Sequence, residues 1–171
     1  FYPTAKPLIS NSKQFPLINE IVYLMLGPNT SIGGFTQSQN GYYVNVVSLW
    51  NHPHHNGFPS NPQTPPESQH PLLPFEGDVL QEGRWGNSIR FSSTIINKQT
   101  GQPQNNWSST GTSGDPITII RNGQGNQTEE GWIPITEEIN NDDASIYLSS
   151  TQSIPLTAAS SNYFSYPSDS T

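Results

Sequence analysis

Apolar and polar positions alternate most cleanly in two places along this chain, and the two places share their wording. Ser88-Ile-Arg-Phe-Ser-Ser-Thr94 returns 57 residues later as Ser145-Ile-Tyr-Leu-Ser-Ser-Thr151. A period of two marks a strand with one face buried and one open. It puts Ile89 and Phe91 on one face of the first copy, and Ile146 and Leu148 on the matching face of the second. A short apolar segment follows each copy, Ile117-Thr-Ile-Ile120 and Ile154-Pro-Leu156. Two Ser/Thr-rich strands can match by chance, and two copies are too few for a solenoid. A repeated unit of strand plus hydroxyl run nevertheless describes architecture rather than an active site.

The remaining elements are also strands. Ile21-Val-Tyr-Leu-Met-Leu26 is a continuous apolar run ended by Gly27-Pro28, which reads as a buried strand. Tyr42 to Trp50 is largely apolar at odd and even positions alike, so both of its faces are expected to be covered. The two segments read as an antiparallel pair across a long polar loop. Val79–Glu82 and Ser88–Phe91 form the arms of a hairpin, with Gly83, Gly86 and Asn87 able to take the positive φ of a tight turn. Residues 51–74 hold seven prolines. No strand ladder survives that density, so this segment is an extended surface loop. Ile117–Arg121 is a further strand, and residues 137–143 are acidic. From Ala158 the chain is polar and Pro-containing, a tail that needs a partner to become ordered.

Composition narrows the class. Of the 171 residues 31% are hydrophobic and 11% charged, both low for a soluble domain, with 16 Pro and 14 Gly. A thin core and many turns suit an all-β protein that buries much of its surface in an assembly. The net charge of −7 with six Lys/Arg excludes a phosphate-tracking stripe, hence no nucleic acid. No apolar run reaches the ~18–20 residues that span a bilayer. There is no cysteine, so neither disulfides nor thiolate metal sites arise. The chain opens Phe-Tyr-Pro without Met, as a piece of a longer protein would.

Few residues suggest chemistry. His52, His54 and His55, with His70, are the single metal-like constellation. Neighbouring residues of a Pro-rich segment point in divergent directions, however, and no acid lies near to orient the rings. Surface or trimer-contact histidines are the stronger reading, and no metal is expected. Asp78 and Asp115 sit in Gly77-Asp78 and Gly114-Asp115-Pro116, where a turn uses the carboxylate to hold its own backbone. That role outweighs a catalytic carboxylate pair, and no nucleophile or phosphate-loop motif is present. Arg84 and Arg90 flank the hairpin turn, with Glu76 or Glu82 as expected partners. Trp107 and Trp132 offer a conceivable glycan platform, although core or interface anchors are the simpler role for them.

Longer strings carry a resemblance. These are Pro16-Leu-Ile-Asn-Glu-Ile-Val22, Tyr42-Tyr-Val-Asn-Val-Val-Ser-Leu-Trp-Asn-His-Pro-His-His55, Pro71-Leu-Leu-Pro-Phe-Glu-Gly-Asp-Val-Leu80, Glu82-Gly-Arg-Trp-Gly-Asn-Ser-Ile-Arg-Phe91 and Gly114-Asp-Pro-Ile-Thr-Ile-Ile-Arg-Asn-Gly123. The chain resembles structural proteins of contractile-tailed bacteriophages, and within those virions the baseplate hub or central-spike proteins. The resemblance covers about residues 15 to 156. It implies an OB-like antiparallel β-barrel used for assembly as a trimer, with no catalytic residues and no cofactor. Proteins of this pattern carry a longer insert before Pro71, so the short join from Pro62 to His70 implies an omitted loop. The tail-lysozyme domain of some hub proteins is absent, so a cell-wall hydrolase activity is not implied.

The expected protein is therefore all-β. Residues 1–135 form an OB-like barrel carrying the His/Pro-rich loop 51–74, and residues 136–171 supply a C-terminal strand repeat and tail. Its expected role is non-enzymatic, joining tail tube or hub to the spike in the virion baseplate, with other tail proteins as partners. The alternative is a module binding host-surface carbohydrate through Trp107 and Trp132. A core this thin leaves little margin against chain entropy. Closed symmetry would also hide edge strands. A homotrimer is expected, with Ile89, Phe91, Ile146 and Leu148 at subunit contacts or in the core beneath them. On this reading Ile146→Asp disrupts assembly, whereas Gln124→Asp in a polar loop is silent.

Overall fold

The computed structural model describes residues 5–18, 20–27, 40–49, 52, 69–97, 99–102, 104–107, 110–125, 127–128 and 131–157. The chain is all-β, and no helix occurs among the described residues. Seven strands form, β1 (Ala5–Pro7), β2 (Val22–Gly27), β3 (Asn40–Val46), β4 (Val79–Glu82), β5 (Asn87–Ser93), β6 (Pro116–Asn122) and β7 (Ser145–Ser149). They make two open sheets, ordered β1-β3-β2 and β4-β5-β6-β7. Among the described residues the strands do not close into the expected barrel. Most of the loop 51–74 and all of the tail from Ala158 lie outside the described residues.

Contacts divide the chain into two compact units. The first comprises Phe1–Pro71, Glu82–Trp85 and Gln127–Ile135; the second comprises Leu72–Gln81, Gly86–Asn126 and Thr136–Thr171. This division differs from a single cut after Ile135, because the chain passes between the units several times.

In the first unit, β2 and β3 pair antiparallel across the long loop, as the apolar runs predict. β1 adds to β3 in parallel, with Lys6 opposite Tyr42. Pro7 is tolerated there because β1 is an edge strand. β3 is the central strand and buries Tyr43. β2 departs from expectation. It is an edge strand among the described residues, and the side chains from Tyr23 to Leu26 are 50–65% exposed. A continuous apolar run looks the same whether its own chain or a neighbour is to cover it.

In the second unit, the hairpin β4–β5 forms at the expected residues, turning through Gly86 at φ 86°. The two repeat copies become β5 and β7, and both pair antiparallel with β6. They lie in one register. Ile89 and Ile146 both face Ile120, Arg90 and Tyr147 both face Ile119, and Phe91 and Leu148 both face Thr118. The repeat is thus a pair of matching strands on either side of a shared one.

The hydroxyl runs that end the copies grip a single turn. The Thr94 amide donates to Asp115 O at 2.9 Å, and the Gly114 amide donates to Thr94 O at 2.8 Å. From the other copy, Thr151 Oγ1 donates to Asp115 Oδ2 at 2.6 Å and Ser150 Oγ to Pro116 O at 2.9 Å. Gln152 joins the two, donating to Thr94 Oγ1 at 2.8 Å and Asp115 O at 2.9 Å. Asp115 sits at a turn, as its Gly-Asp-Pro setting predicts, but its carboxylate accepts the Thr151 hydroxyl of the other copy rather than an amide of its own turn. Ile154–Leu156 follows as extended chain and not as a strand.

The four-stranded sheet has an inverted polarity. Its covered face carries Ser88, Arg90, Ile117, Ile119, Arg121 and Tyr147, whereas its other face presents Ile89, Phe91, Ile120, Ile146 and Leu148. Phe91, Ile146 and Leu148 are 50–59% exposed. They do not form the core beneath the sheet. That core is built from Trp107, Ile117 and Ile119, with Phe75, Tyr147 and Ile154 against them.

Candidate functional site

The covered face is organised by two arginines on neighbouring strands. Arg90 comes from the middle of β5 and is fully buried. Its Nε donates to both oxygens of Glu137 at 2.9 Å, its Nη1 pairs with Asp78, and its Nη2 donates to Leu73 O at 3.1 Å. The guanidinium also lies 5.3 Å from the centre of the Trp107 ring and 5.7 Å from that of Phe75. Carboxylates satisfy its edge, and the Trp107 and Phe75 rings, packed edge to face 5.9 Å apart, lie beside it, which lets a permanent charge remain inside an apolar core. Asp78 also accepts the Phe75 amide at 3.1 Å, so its turn role and its ionic role coincide.

Arg121 leaves β6 on the same face, also buried, with Nη1 3.5 Å from Asp142 Oδ1. The acids come from the stretch 137–143, folded into a tight turn. The Asp142 amide donates to Glu138 O at 2.8 Å, and Asp142 Oδ2 accepts the Glu138 amide at 3.2 Å. Gly123 and Gly125 hold this turn down. A Cβ at Gly125 would overlap the carbonyl oxygen of Asn141, and one at Gly123 the carboxylate of Asp143. Both glycines have positive φ, at 95° and 62°.

Charge within this layer does not balance. Asp78, Glu137 and Asp142 are at most 3% exposed at the side chain, against two equally buried arginines. Asp142 keeps its proton to higher pH than an ordinary aspartate, with its pKa raised to about 6. Burial is the main cause; Arg121 opposes it and Glu137 adds to it. The Tyr147 hydroxyl is held in its neutral form, first by burial and then by Asp142 and Glu137. Among the described residues the Tyr147 hydroxyl has no hydrogen-bond partner, nor do Nε and Nη1 of Arg121.

Beside the layer lies a cavity of about 330 Å³. Trp107, Tyr147, Ile154 and Pro155 supply apolar walls, and Glu137 and Glu138 supply carboxylates. Asn140 braces the outer wall by donating to Pro155 O and accepting the Thr157 amide, both at 2.7 Å.

The residues singled out in the sequence are dispersed. His52 and His70 are buried, and each donates a ring N–H at 2.7 Å to a carbonyl of one segment, to Gly131 and Ile133 respectively. They clamp that segment, a role for which neighbouring prolines give no signal. His54 and His55 lie outside the described residues. No group of three metal-ligating side chains occurs among the described residues. Trp107 is 2% exposed, with its indole N–H donated to Ser93 O at 3.3 Å, so it is a core residue with no open face for a sugar. Trp132 is 50% exposed, with its ring edge-on to His52 at 4.8 Å. The two tryptophans belong to different units.

The expected arginine partners are corrected. Arg84 meets Glu20, Nη1 to Oε1 at 2.6 Å and Nη2 to Oε2 at 2.7 Å, and Arg90 meets Glu137 and Asp78. The sequence offered Glu76 and Glu82 because they are nearest along the hairpin; the actual acids are 64 and 47 residues distant for Glu20 and Glu137. No family model matches this chain, and no curated protein or solved structure matches it.

Proposed function

We propose that this chain is a non-enzymatic structural subunit that assembles with copies of itself through the open face of its four-stranded sheet. The observation that carries the reading is the inverted polarity of that sheet. Ile89, Phe91, Ile120, Ile146 and Leu148, with Thr118 between them, form a largely apolar face, while two arginines and their acids lie on the covered face beside Ile117 and Ile119. An apolar surface of that kind is costly in water, and in natural proteins it marks an interface. Among the described residues β2 and β7 are edge strands, which points the same way, since an apolar edge pairs with another chain unless something blocks it. The strings that resemble phage baseplate hub and spike proteins supply the setting, a homotrimer on the axis of a contractile tail contacting other tail proteins.

The test is oligomeric state followed by location. Light scattering of the purified chain should give three times the chain mass, and an averaged map of the tail tip should place three copies on the axis. A stable folded monomer at micromolar concentration would overturn the proposal. Of the two tryptophans in the carbohydrate-binding alternative, Trp107 is buried and Trp132 is exposed, and glycan binding lost on Trp132→Ala would favour that reading.

A further inference from the structure

We infer that the open face of the four-stranded sheet is covered by strand β2 of the next copy, so that copies join head to tail. This contact rests on the self-assembly proposed above and specifies which two surfaces meet.

Two apolar patches of unlike shape occur among the described residues. One is the open face, a broad surface on which Phe91, Ile146 and Leu148 are 50–59% exposed. The other is β2, where Tyr23, Leu24, Met25 and Leu26 are 50–65% exposed in succession. Successive side chains of a strand point to opposite faces, so β2 is open on both sides, at the edge of its sheet. Such a strand is an apolar ridge, and a broad apolar face is a surface that can cover it. Neither patch holds a charged residue.

Symmetry requires two unlike surfaces. Three copies about one axis cannot meet like to like; each shows one surface to the neighbour ahead and a different one to the neighbour behind. A trimer therefore needs a complementary pair on every chain. β2 and the open face are such a pair, carried by different compact units.

Charge selects the same pairing. On and beside the sheet that carries β2, the exposed charges among the described residues are Lys6 on β1 and Lys13 beyond it. Around the four-stranded sheet they are Glu76, just before β4, and Glu138 and Asp143, just before β7. The first sheet against the second brings opposite charges together, whereas either sheet against its own kind brings like charges together.

The chain has no cysteine, so introduced thiols report contacts directly. Leu24→Cys and Leu148→Cys, at positions 56% and 59% exposed, are made in two chains of different mass, co-expressed and treated with a bismaleimide. A covalent pair with one chain of each kind is expected, and no pair of like chains from either variant alone. Like pairs from Leu148→Cys alone would mean that open faces meet each other, and like pairs from Leu24→Cys alone that β2 edges do; either overturns the inference. A particle of three chain masses without the mixed pair also overturns it, while leaving self-assembly intact. A chain that stays monomeric overturns both.

Charge reversal is the second arm. Lys6→Glu with Lys13→Glu should weaken assembly about tenfold, and adding Glu76→Lys with Glu138→Lys to the same chain should restore it. All four positions are exposed, so the circular dichroism spectrum should not change. Assembly unaffected by the two lysine substitutions would overturn the head-to-tail pairing.

Discussion

Arg90 and Tyr147 stand at the same position of the two repeat copies and face the same residue, Ile119, from opposite sides. One copy places a cation at this inward position and the other a phenol. The residues on either side of them, Ile89 with Phe91 and Ile146 with Leu148, face outward in both copies. Repetition therefore preserves the outer face and diversifies the inner one. The inner face holds the cluster that ties Asp78 and the turn 137–143 to the sheet, and the outer face is exposed.

If Arg90 is the centre of that interior, removing its charge should be severe. Arg90→Met fills a similar volume but leaves Asp78 and Glu137 buried without their shared cation. A loss of about 3–5 kcal/mol in urea unfolding is expected. Arg90→Lys should recover only part of it, because an ammonium lacks the planar fork that meets Glu137, Asp78 and the Leu73 carbonyl together. A loss below about 1 kcal/mol for the Met variant would mean that the acids do not depend on Arg90.

The acidic turn should respond to pH with a definite sign. Asp142 titrates at about 6 in the folded chain against 3.8 for an ordinary aspartate, because burial outweighs the attraction of Arg121. Between those values the folded chain holds more protons than the unfolded one. The stability contributed is therefore complete below 3.8 and is lost as pH rises through about 6. Arg121, Glu137, Glu138 and Tyr147 surround the group. Asp142→Asn should flatten this part of the profile, read as urea midpoints at about pH 4 and about pH 7. The same fall in wild type and variant would assign it to another group.

Two glycines separate backbone strain from collision. Gly77 has φ 88° and nothing within 4 Å of an added Cβ, so Gly77→Ala should cost only about 1–2 kcal/mol of conformational strain. Gly125 has φ 62°, and its Cβ would fall on the Asn141 carbonyl. Gly125→Ala must push the acidic turn off the sheet, so Asp142 should return toward an ordinary carboxyl pKa, measurable by carboxyl NMR. Equal losses for the two alanines, with Asp142 unmoved, would show that the loop 123–125 does not hold the turn.

Much of this architecture was legible in the sequence, for physical reasons that also mark the limit. Strands β2, β3 and β6 announce themselves as apolar runs, β5 and β7 through alternation and β4 through the turn glycines beside it, and the shared wording of β5 and β7 becomes an aligned pair around β6. Period two cannot say which of two faces is covered. Arg90 and Phe91 alternate as any polar and apolar neighbours would, and the usual rule would bury Phe91. It is the distant acids Asp78 and Glu137 that make Arg90 the inward residue. The same blindness to distance hid Glu20 as the partner of Arg84, the histidine clamps on residues 131–133, and the burial of Gln124, which reads as part of a polar loop yet is 2% exposed.

That burial also settles which control belongs in the assembly test. Gln124→Asp would place a carboxylate inside the second unit, so a silent control must come from an exposed loop residue such as Gln99. Ile146 is the informative position. At 57% exposed on edge strand β7, it contributes little to the stability of a single chain, and Ile146→Asp should leave the unfolding midpoint of a monomer nearly unchanged. In an assembly built on the open face, the same carboxylate would be buried against apolar neighbours without a partner, which is strongly unfavourable. Light scattering should then show folded monomers for Ile146→Asp and intact trimers for Gln99→Asp. Ile119→Asp, at a fully buried site between the two repeat strands, should instead fail to fold. If Ile146→Asp keeps the oligomer intact, the open face is not where copies meet.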